Sequence, residues 1–79
     1  MKENIKIPHV TGVKQVLRAV KAGELKAIYL ASDCDFLIRG NVQCAADQAG
    51  VLVLEGGTMR ELGERAGVEV SAATVGILK

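Results

Sequence analysis

The first predicted helix carries the residues best suited to contact a ligand. Lys14, Gln15 and Arg18 lie near one another on its outward side. Gly12 stands at its N-terminus, where free backbone N–H groups and a partial positive charge bind phosphate. Lysine, glutamine and arginine also donate hydrogen bonds to base edges, particularly those of guanine. This face is therefore suited to a nucleic acid, although an ordinary solvated helix face has the same residue types.

A second group of candidate residues stands in the loop predicted between the third helix and the last strand. Val68 and Val70 flank Glu69 there. Apolar side chains in an exposed loop can pack against an unstacked base or a sugar. The alternative is that both valines only close the hydrophobic core where the helix passes into the strand.

Two other groups resemble catalytic or nucleotide-binding motifs but have simpler explanations. Asp33 and Asp35 follow the first long strand, yet no histidine is near them in sequence, and aspartate is common in turns. Gly56 and Gly57 precede a helix, but the lysine of a P-loop and the third glycine of a dinucleotide fingerprint are missing. We therefore expect no catalytic residue, metal site or cofactor, and the protein is not expected to be an enzyme.

The aromatic residues do not suggest an extended stacking surface. Tyr29 lies in a predicted strand and Phe36 in the turn that follows it, and the chain has no tryptophan. Proteins that hold single-stranded RNA stack successive bases on several exposed rings. The sequence therefore predicts no aromatic platform.

Size and composition limit the class of protein. Seventy-nine residues form one small domain, expected to span 1–79, and 49% hydrophobic with 24% charged residues is ordinary globular usage. No apolar run approaches the roughly 18 residues that span a bilayer, so we expect a cytoplasmic protein without a membrane partner. Cys34 and Cys44 are too few for a disulfide framework.

The charges are unevenly distributed although the formal net charge is only +1. Residues 1–26 carry six basic against two acidic side chains, a net +4. Residues 27–79 carry four basic against seven acidic side chains, a net −3. A nearly neutral protein of this kind can still present a local positive field that attracts a nucleic acid.

Hydrophobic periodicity predicts helices that alternate with strands. Thr11 and Thr58 are the expected N-caps of the first and third helices, Thr58 in a capping box with Glu61, and Asn41 is a possible N-cap of the second. The predicted elements are an edge strand over 7–10, a helix over 11–22, a strand over 25–31, a helix that ends at Gly50, a buried strand over 51–55, a helix that ends at Gly67 and a strand over 72–78. This order predicts an α/β fold, a three-layer α/β/α sandwich with a small mixed sheet.

Four motifs in this order resemble the kink-turn RNA-binding ribosomal protein family, which includes archaeal L-seven-Ae and eukaryotic L-thirty-e proteins. The likeness is strongest to its short stand-alone bacterial members and covers nearly the whole chain. The most specific motif is the last, because a helix end of this kind followed by a hydrophobic–Glu–Val loop is rare elsewhere. The motifs are TGVKQVLRAVKAG (11–23), IYLASDCD (28–35), AADQAGV (45–51) and LGERAGVEVSAATVGI (62–77).

The resemblance implies that the protein binds a kink-turn, a sharply bent RNA duplex with tandem sheared G·A pairs, in ribosomal or riboswitch-like RNA. The start of the first helix would read guanines, the basic residue one turn later would hold phosphate, and the valine-rich loop would cover the looped-out nucleotides. The residues so assigned are Gly12, Lys14, Gln15, Arg18, Val68, Glu69 and Val70. The resemblance also implies a cytoplasmic monomer, with association with the ribosome as an open alternative.

The chain departs from the family pattern at three places, of which Val13 in place of a more usual threonine or alanine is expected to be neutral. Lys14-Gln15 replaces the Asn-Glu of archaeal members, and Phe36 stands where proline is usual. The alternative function is a protein-interaction module of the same superfamily that does not bind RNA. The basic helix face argues against it, because a protein-binding descendant would have no reason to keep that face. A nucleotide-binding enzyme that uses Gly56-Gly57 is a third and more distant alternative.

Overall fold

A computed structural model describes residues 5–68 and 71–79 of the chain. Within these residues, three helices alternate with four strands as the hydrophobic pattern predicts. The elements are β1 (His9–Thr11), α1 (Val13–Lys21), β2 (Leu25–Leu30), α2 (Phe36–Ala49), β3 (Leu52–Glu55), α3 (Met59–Ala66) and β4 (Thr74–Leu78).

The four strands form one mixed sheet in the order β1-β4-β2-β3. Strand β4 is antiparallel to both of its neighbours, β1 and β2, whereas β2 and β3 are parallel. The parallel pair is joined through α2, as a parallel connection requires. The mixed sheet and the α/β class predicted from the sequence are confirmed.

Alternate residues of the strands pack on opposite faces of the sheet. On one face, Ile28 and Leu30 of β2 are buried with Val16 of α1 and Val42 of α2. On the other face, the buried residues of β4 pack with α3, whose Leu62 is fully buried. The sheet is therefore the middle of three layers, with two helices on one side and one helix on the other.

The sequence predicted that β3 is a buried strand, and this prediction is wrong. It lies at an edge of the sheet, and the side chains of Leu52 and Leu54 are 60% and 37% exposed. Val53 between them packs into the core beneath α1 and α2. Helix α3 packs on β4 instead of β3, so the leucine side of β3 stays uncovered. A short apolar run does not reveal how many neighbours its strand will have.

Two of the predicted N-caps are also wrong. Thr11 pairs with β4 as the last residue of β1, and Gly12 takes the N-cap position of α1. Asn41 lies inside α2, which begins earlier because the Asp35 carboxylate accepts the backbone N–H of Leu37 at 2.7 Å. An aspartate in this position satisfies one of the free N–H groups at a helix start, so the helix can begin at residue 36.

The predicted start of α3 is confirmed. Thr58 Oγ1 accepts the backbone N–H of Glu61 at 3.1 Å, and the Glu61 carboxylate accepts the N–H of Thr58 at 3.0 Å. Asp33, from the turn after β2, accepts the N–H of Met59 at 2.7 Å. The first turn of α3 thus has acceptors from its own capping box and from a distant part of the chain.

Replacing Thr58 by alanine is expected to lower the free energy of unfolding by about 1 kcal/mol, because one acceptor of the capping box is lost. Urea denaturation followed by circular dichroism measures this change. Thr58→Ser keeps the hydroxyl group and should retain most of the stability. An equal loss in both variants would show that the capping hydrogen bond is not the source of the effect.

Candidate functional site

The ends of the four strands bring the starts of all three helices to one end of the sheet. Strand β1 finishes at Thr11, next to the beginning of β4, and Leu30 at the end of β2 pairs with both Thr74 and Glu55. Each helix follows a strand that finishes here, so α1, α2 and α3 all begin at this end. We call the region around Thr11, Leu30, Glu55 and Thr74 the helix-start end.

The start of α1 is open to an external acceptor. Gly12 has φ 99° and ψ 151°, a backbone conformation that side chains disfavour, and it is held there because its N–H donates to Thr74 O at 3.1 Å. Among the described residues, no side chain caps α1, and the first turn of this helix contains no acidic residue. Nothing among the described atoms lies within 4 Å of the position that a Cβ of residue 12 would take. The N–H groups of this first turn are therefore free to bind a ligand.

The other two helices are capped by carboxylates at the same end of the sheet. The carboxylate of Asp35 caps α2, and those of Asp33 and Glu61 accept backbone N–H groups at the start of α3. These hydrogen bonds give Asp33 and Asp35 a structural role at the helix starts. Carboxylates thus bind at the starts of α2 and α3. Among the helices of the described chain, α1 is the helix whose start has no side-chain cap.

The outward side of α1 is basic, as predicted. Lys14, Gln15 and Arg18 are exposed, whereas Val16 and Val20 on the opposite side are buried. Leu17, with Lys14, Arg18 and Lys21, lines a shallow hollow on this surface. Within the described residues, none of the three cations has a carboxylate at salt-bridge distance. Their ammonium and guanidinium groups are therefore available to an anionic partner.

Arg39 is also near the helix-start end, but its guanidinium group is occupied. Nη2 donates to the carbonyl oxygen of Ala31 at 2.8 Å, and Nη1 lies 3.2 Å from Glu55 Oε2. The hydrogen bond with Glu55 raises the pKa of Arg39 above its usual value. Arg39 thus ties α2 to the ends of β2 and β3, whereas the cations of α1 have no carboxylate partner among the described residues.

The described residues at the two ends of the α3–β4 loop contact β1 and the start of α1. Near the beginning of the loop, the His9 ring of β1 lies 3.2 Å from the carbonyl oxygen of Ala66. The loop reaches β4 at Thr74, whose carbonyl oxygen accepts the N–H of Gly12. Val68 is half-buried, and its N–H donates to Gly63 O at 3.1 Å. The predicted site residues Glu69 and Val70 lie outside the described residues.

The two glycines after β3 have a packing role. A Cβ on Gly56 would lie 2.9 Å from Leu62 Cδ1 and 3.2 Å from Tyr29 Cβ, so only glycine fits between them. The carbonyl oxygen of Gly57 accepts the N–H of Ser32 at 2.7 Å. Gly57 has φ 87°, and a Cβ there would lie 2.7 Å from Glu61 Oε1, so local geometry explains both glycines without a bound phosphate.

The described part of the chain contains no group of three His, Cys, Asp or Glu side chains that could hold a metal ion. None of its helices combines the length and apolar character needed to cross a membrane.

The sequence did not reveal the exposed start of α2. Phe36 was expected in a turn, but Phe36 and Leu37 form the first turn of this helix and are 81% and 74% exposed. The signal that could have placed them is Asp35, which has the residue type of an N-cap.

Comparison with known proteins adds independent information. A model of the ribosomal protein L7Ae/L30e/S12e/Gadd45 family matches residues 3–79. The chain is 40% identical over 70 residues to the RNA-binding protein YbxF of Geobacillus stearothermophilus, covering 89% of this chain and 85% of the relative. It is 32% identical over 74 residues to the RNA-binding protein TTE2299 of Caldanaerobacter subterraneus subsp. tengcongensis, covering 94% and 90%.

A solved structure has a similar fold. The 15.5kD RNA-binding protein of Giardia lamblia superposes with a TM-score of 0.83 at 25% sequence identity. The similarity covers 90% of this chain and 60% of the Giardia chain. Three helices and a mixed four-stranded sheet are thus an arrangement that the chain shares with a solved RNA-binding protein.

Proposed function

Because this chain belongs to the ribosomal protein L7Ae/L30e/S12e/Gadd45 family, we propose that it is a non-catalytic RNA-binding protein that recognises kink-turns. Its relatives are named as RNA-binding proteins. The observation that carries the proposal is the uncapped start of α1 beside an unpaired basic surface. The proposed partner is ribosomal or riboswitch-like RNA in the cytoplasm, bound by a monomer.

In the proposed complex, the start of α1 enters the widened major groove beside the sheared G·A pairs. Gly12 lets the RNA approach the backbone closely, since no side chain stands in the way. Lys14 and Gln15, both exposed in the first turn, donate hydrogen bonds to guanine edges. Arg18, one turn further, binds a phosphate group.

The loop after α3 is the second part of the proposed interface. It ends beside Gly12, and its residues Val68, Glu69 and Val70 are proposed to cover the kink and its looped-out nucleotides. Apolar side chains suit this task because the faces of unstacked bases are apolar.

The proposed mechanism is a shift of population. A kink-turn RNA samples extended and bent forms, and a protein that contacts only the bent form draws the equilibrium toward it. The protein needs a shaped surface for this, and no chemical step.

Fluorescence energy transfer between dyes at the two ends of a kink-turn duplex tests the proposal. Added protein should raise the transfer efficiency at micromolar concentration. The control is the same duplex with its tandem G·A pairs replaced by Watson–Crick pairs, which should not bend. Absence of protein-dependent bending on several different kink-turns would refute the proposal.

Arg18→Ala is expected to flatten the salt dependence of binding. The loss of one phosphate contact should reduce the slope of log K against log salt by about 1, whatever the sequence of the RNA. Titrations at several salt concentrations measure the slope. Lys26→Ala is the matched control, because Lys26 is exposed near the start of β2, away from the helix-start end. An equal change in both variants would mean that Arg18 holds no particular phosphate.

One observation favours a second candidate function, a protein-interaction module. Leu52 and Leu54 leave an apolar side of the edge strand β3 uncovered. The two functions differ in what the purified protein carries, because bound nucleic acid raises the ratio of absorbance at 260 nm to that at 280 nm. A protein that is free of nucleic acid and does not bend any kink-turn would favour the second function.

A further inference from the structure

The first turn of α2 presents two large apolar side chains to solvent. Phe36 is 81% exposed and Leu37 74% exposed, more than any other large apolar residue of the described chain. Neither side chain contributes to the two core clusters. Asp35 already caps the helix, so the fold does not require an aromatic ring at residue 36.

Of the phenylalanine and tyrosine rings in this chain, the ring of Phe36 is the one that is free to stack on a base. The chain has one phenylalanine, one tyrosine and no tryptophan. Tyr29 lies in β2 at the centre of the sheet, and the guanidinium carbon of Arg65 covers its ring at 4.9 Å from the centroid. A single ring does not form a platform for a strand of bases, but it is sufficient for one base.

The position of Phe36 links it to the proposed interface. Helices α1 and α2 pack side by side and begin at the same end of the sheet. Packed helices have axes roughly 8–10 Å apart. An RNA docked on the start of α1 is therefore within reach of the first turn of α2.

The charges around Phe36 select a base in preference to the RNA backbone. The carboxylates of Asp33 and Asp35 stand in the turn before Phe36 and repel phosphate groups. The cations that attract phosphate lie on α1. An RNA held by its backbone on α1 would thus meet Phe36 with a nucleobase, and an aromatic ring stacks on any base.

We propose that Phe36 stacks on one nucleobase that the bound RNA turns out of its helix, with Leu37 extending the apolar contact. This contact rests on the proposed function and adds to it a residue outside α1 and the α3–β4 loop.

The test uses a kink-turn duplex that carries 2-aminopurine at each looped-out position in turn, titrated with the full-length protein. Phe36→Ala should weaken binding about tenfold and remove the fluorescence quenching at one of these positions. Phe36→Tyr keeps a ring and should bind within about twofold of the unaltered protein. Leu52→Ala is the control, because it removes another exposed apolar side chain, at the far end of the sheet.

The salt dependence and the thermal unfolding of Phe36→Ala should match those of the unaltered protein, since no charge or buried group is lost. If Phe36→Ala binds and quenches like the unaltered protein while Lys14→Ala loses binding, the stacking contact is wrong and the proposed function stands. If the unaltered protein binds no kink-turn, both are wrong. If Phe36→Ala instead abolishes a dimer seen by sedimentation and leaves RNA affinity intact, the ring contacts a second copy of the chain, which also overturns the proposal.

Discussion

Replacing Lys14 by alanine is expected to weaken the binding of kink-turn RNA by about 1–3 kcal/mol, a factor of roughly 5 to 150. Lys14 is exposed in the first turn of α1, beside the free N–H groups of the helix start. A lysine that donates to a guanine edge there supplies affinity and also discriminates between bases. The penalty should therefore shrink when the sheared G·A pairs of the RNA are replaced, because the unaltered protein then loses the same contact.

Titrations of both RNAs with both proteins measure this difference as a double-mutant cycle. Lys21→Ala is the matched control, because Lys21 borders the same hollow but lies in the last turn of α1. Lys21→Ala should lower the RNA affinity only slightly, and by the same factor with or without the G·A pairs. Equal and small effects of Lys14→Ala and Arg18→Ala on every RNA would indicate non-specific binding and contradict the proposed reading of guanine.

Replacing Leu62 by alanine is expected to lower the free energy of unfolding by about 2–5 kcal/mol. Leu62 is fully buried at the centre of the cluster that joins α3 to the sheet. Its Cδ1 atom packs so tightly that a Cβ on Gly56 would lie 2.9 Å away. A domain of this size has a total stability of about 4–12 kcal/mol, so the variant should lose a large share of its stability.

Urea denaturation of the unaltered protein and of Leu62→Ala measures the loss. Leu52→Ala is the control, because the chemical change is the same but Leu52 is 60% exposed on the edge strand. It should lose less than about 1 kcal/mol, in proportion to the small area that it buries. If both variants lose the same stability, the packing of α3 on the sheet contributes less than the burial of Leu62 indicates.

The parts of the fold that could be predicted are those that local chemistry determines. Thr58 and Glu61 satisfy each other's backbone N–H groups within one turn, so their spacing alone located the start of α3. On α1, the buried residues Val16 and Val20 have the four-residue spacing of one helix face, which a sequence pattern can reveal. Strand β3 was placed correctly along the chain, but its burial depends on which strands and helices lie beside it, which periodicity does not contain.

At the candidate site, the start of α1 also could not be predicted fully from the sequence. Thr11 has the residue type of an N-cap, but pairing with β4 extends β1 through Thr11 and moves the cap to Gly12. The sequence therefore grouped Gly12, Lys14, Gln15 and Arg18 on one surface. It did not show that the helix start beside them has no side-chain cap. Nor did it show that Asp33 and Asp35 neutralise the other two helix starts, since Asp33 reaches α3 across 26 residues of sequence.

Because all three helices begin at one end of the sheet, the turns at the opposite end lie away from the candidate site. The turns from α1 to β2 and from α2 to β3 both lie there, and both pass through glycines with positive φ, Gly23 and Gly50. Lengthening an exposed loop costs little closure entropy when its ends are undisturbed. Insertions at these two turns would thus alter neither α1's first turn nor the loop that ends at Thr74. A domain of 79 residues can in this way keep one end unchanged for recognition while the opposite end accepts a tag, a dye or a second domain.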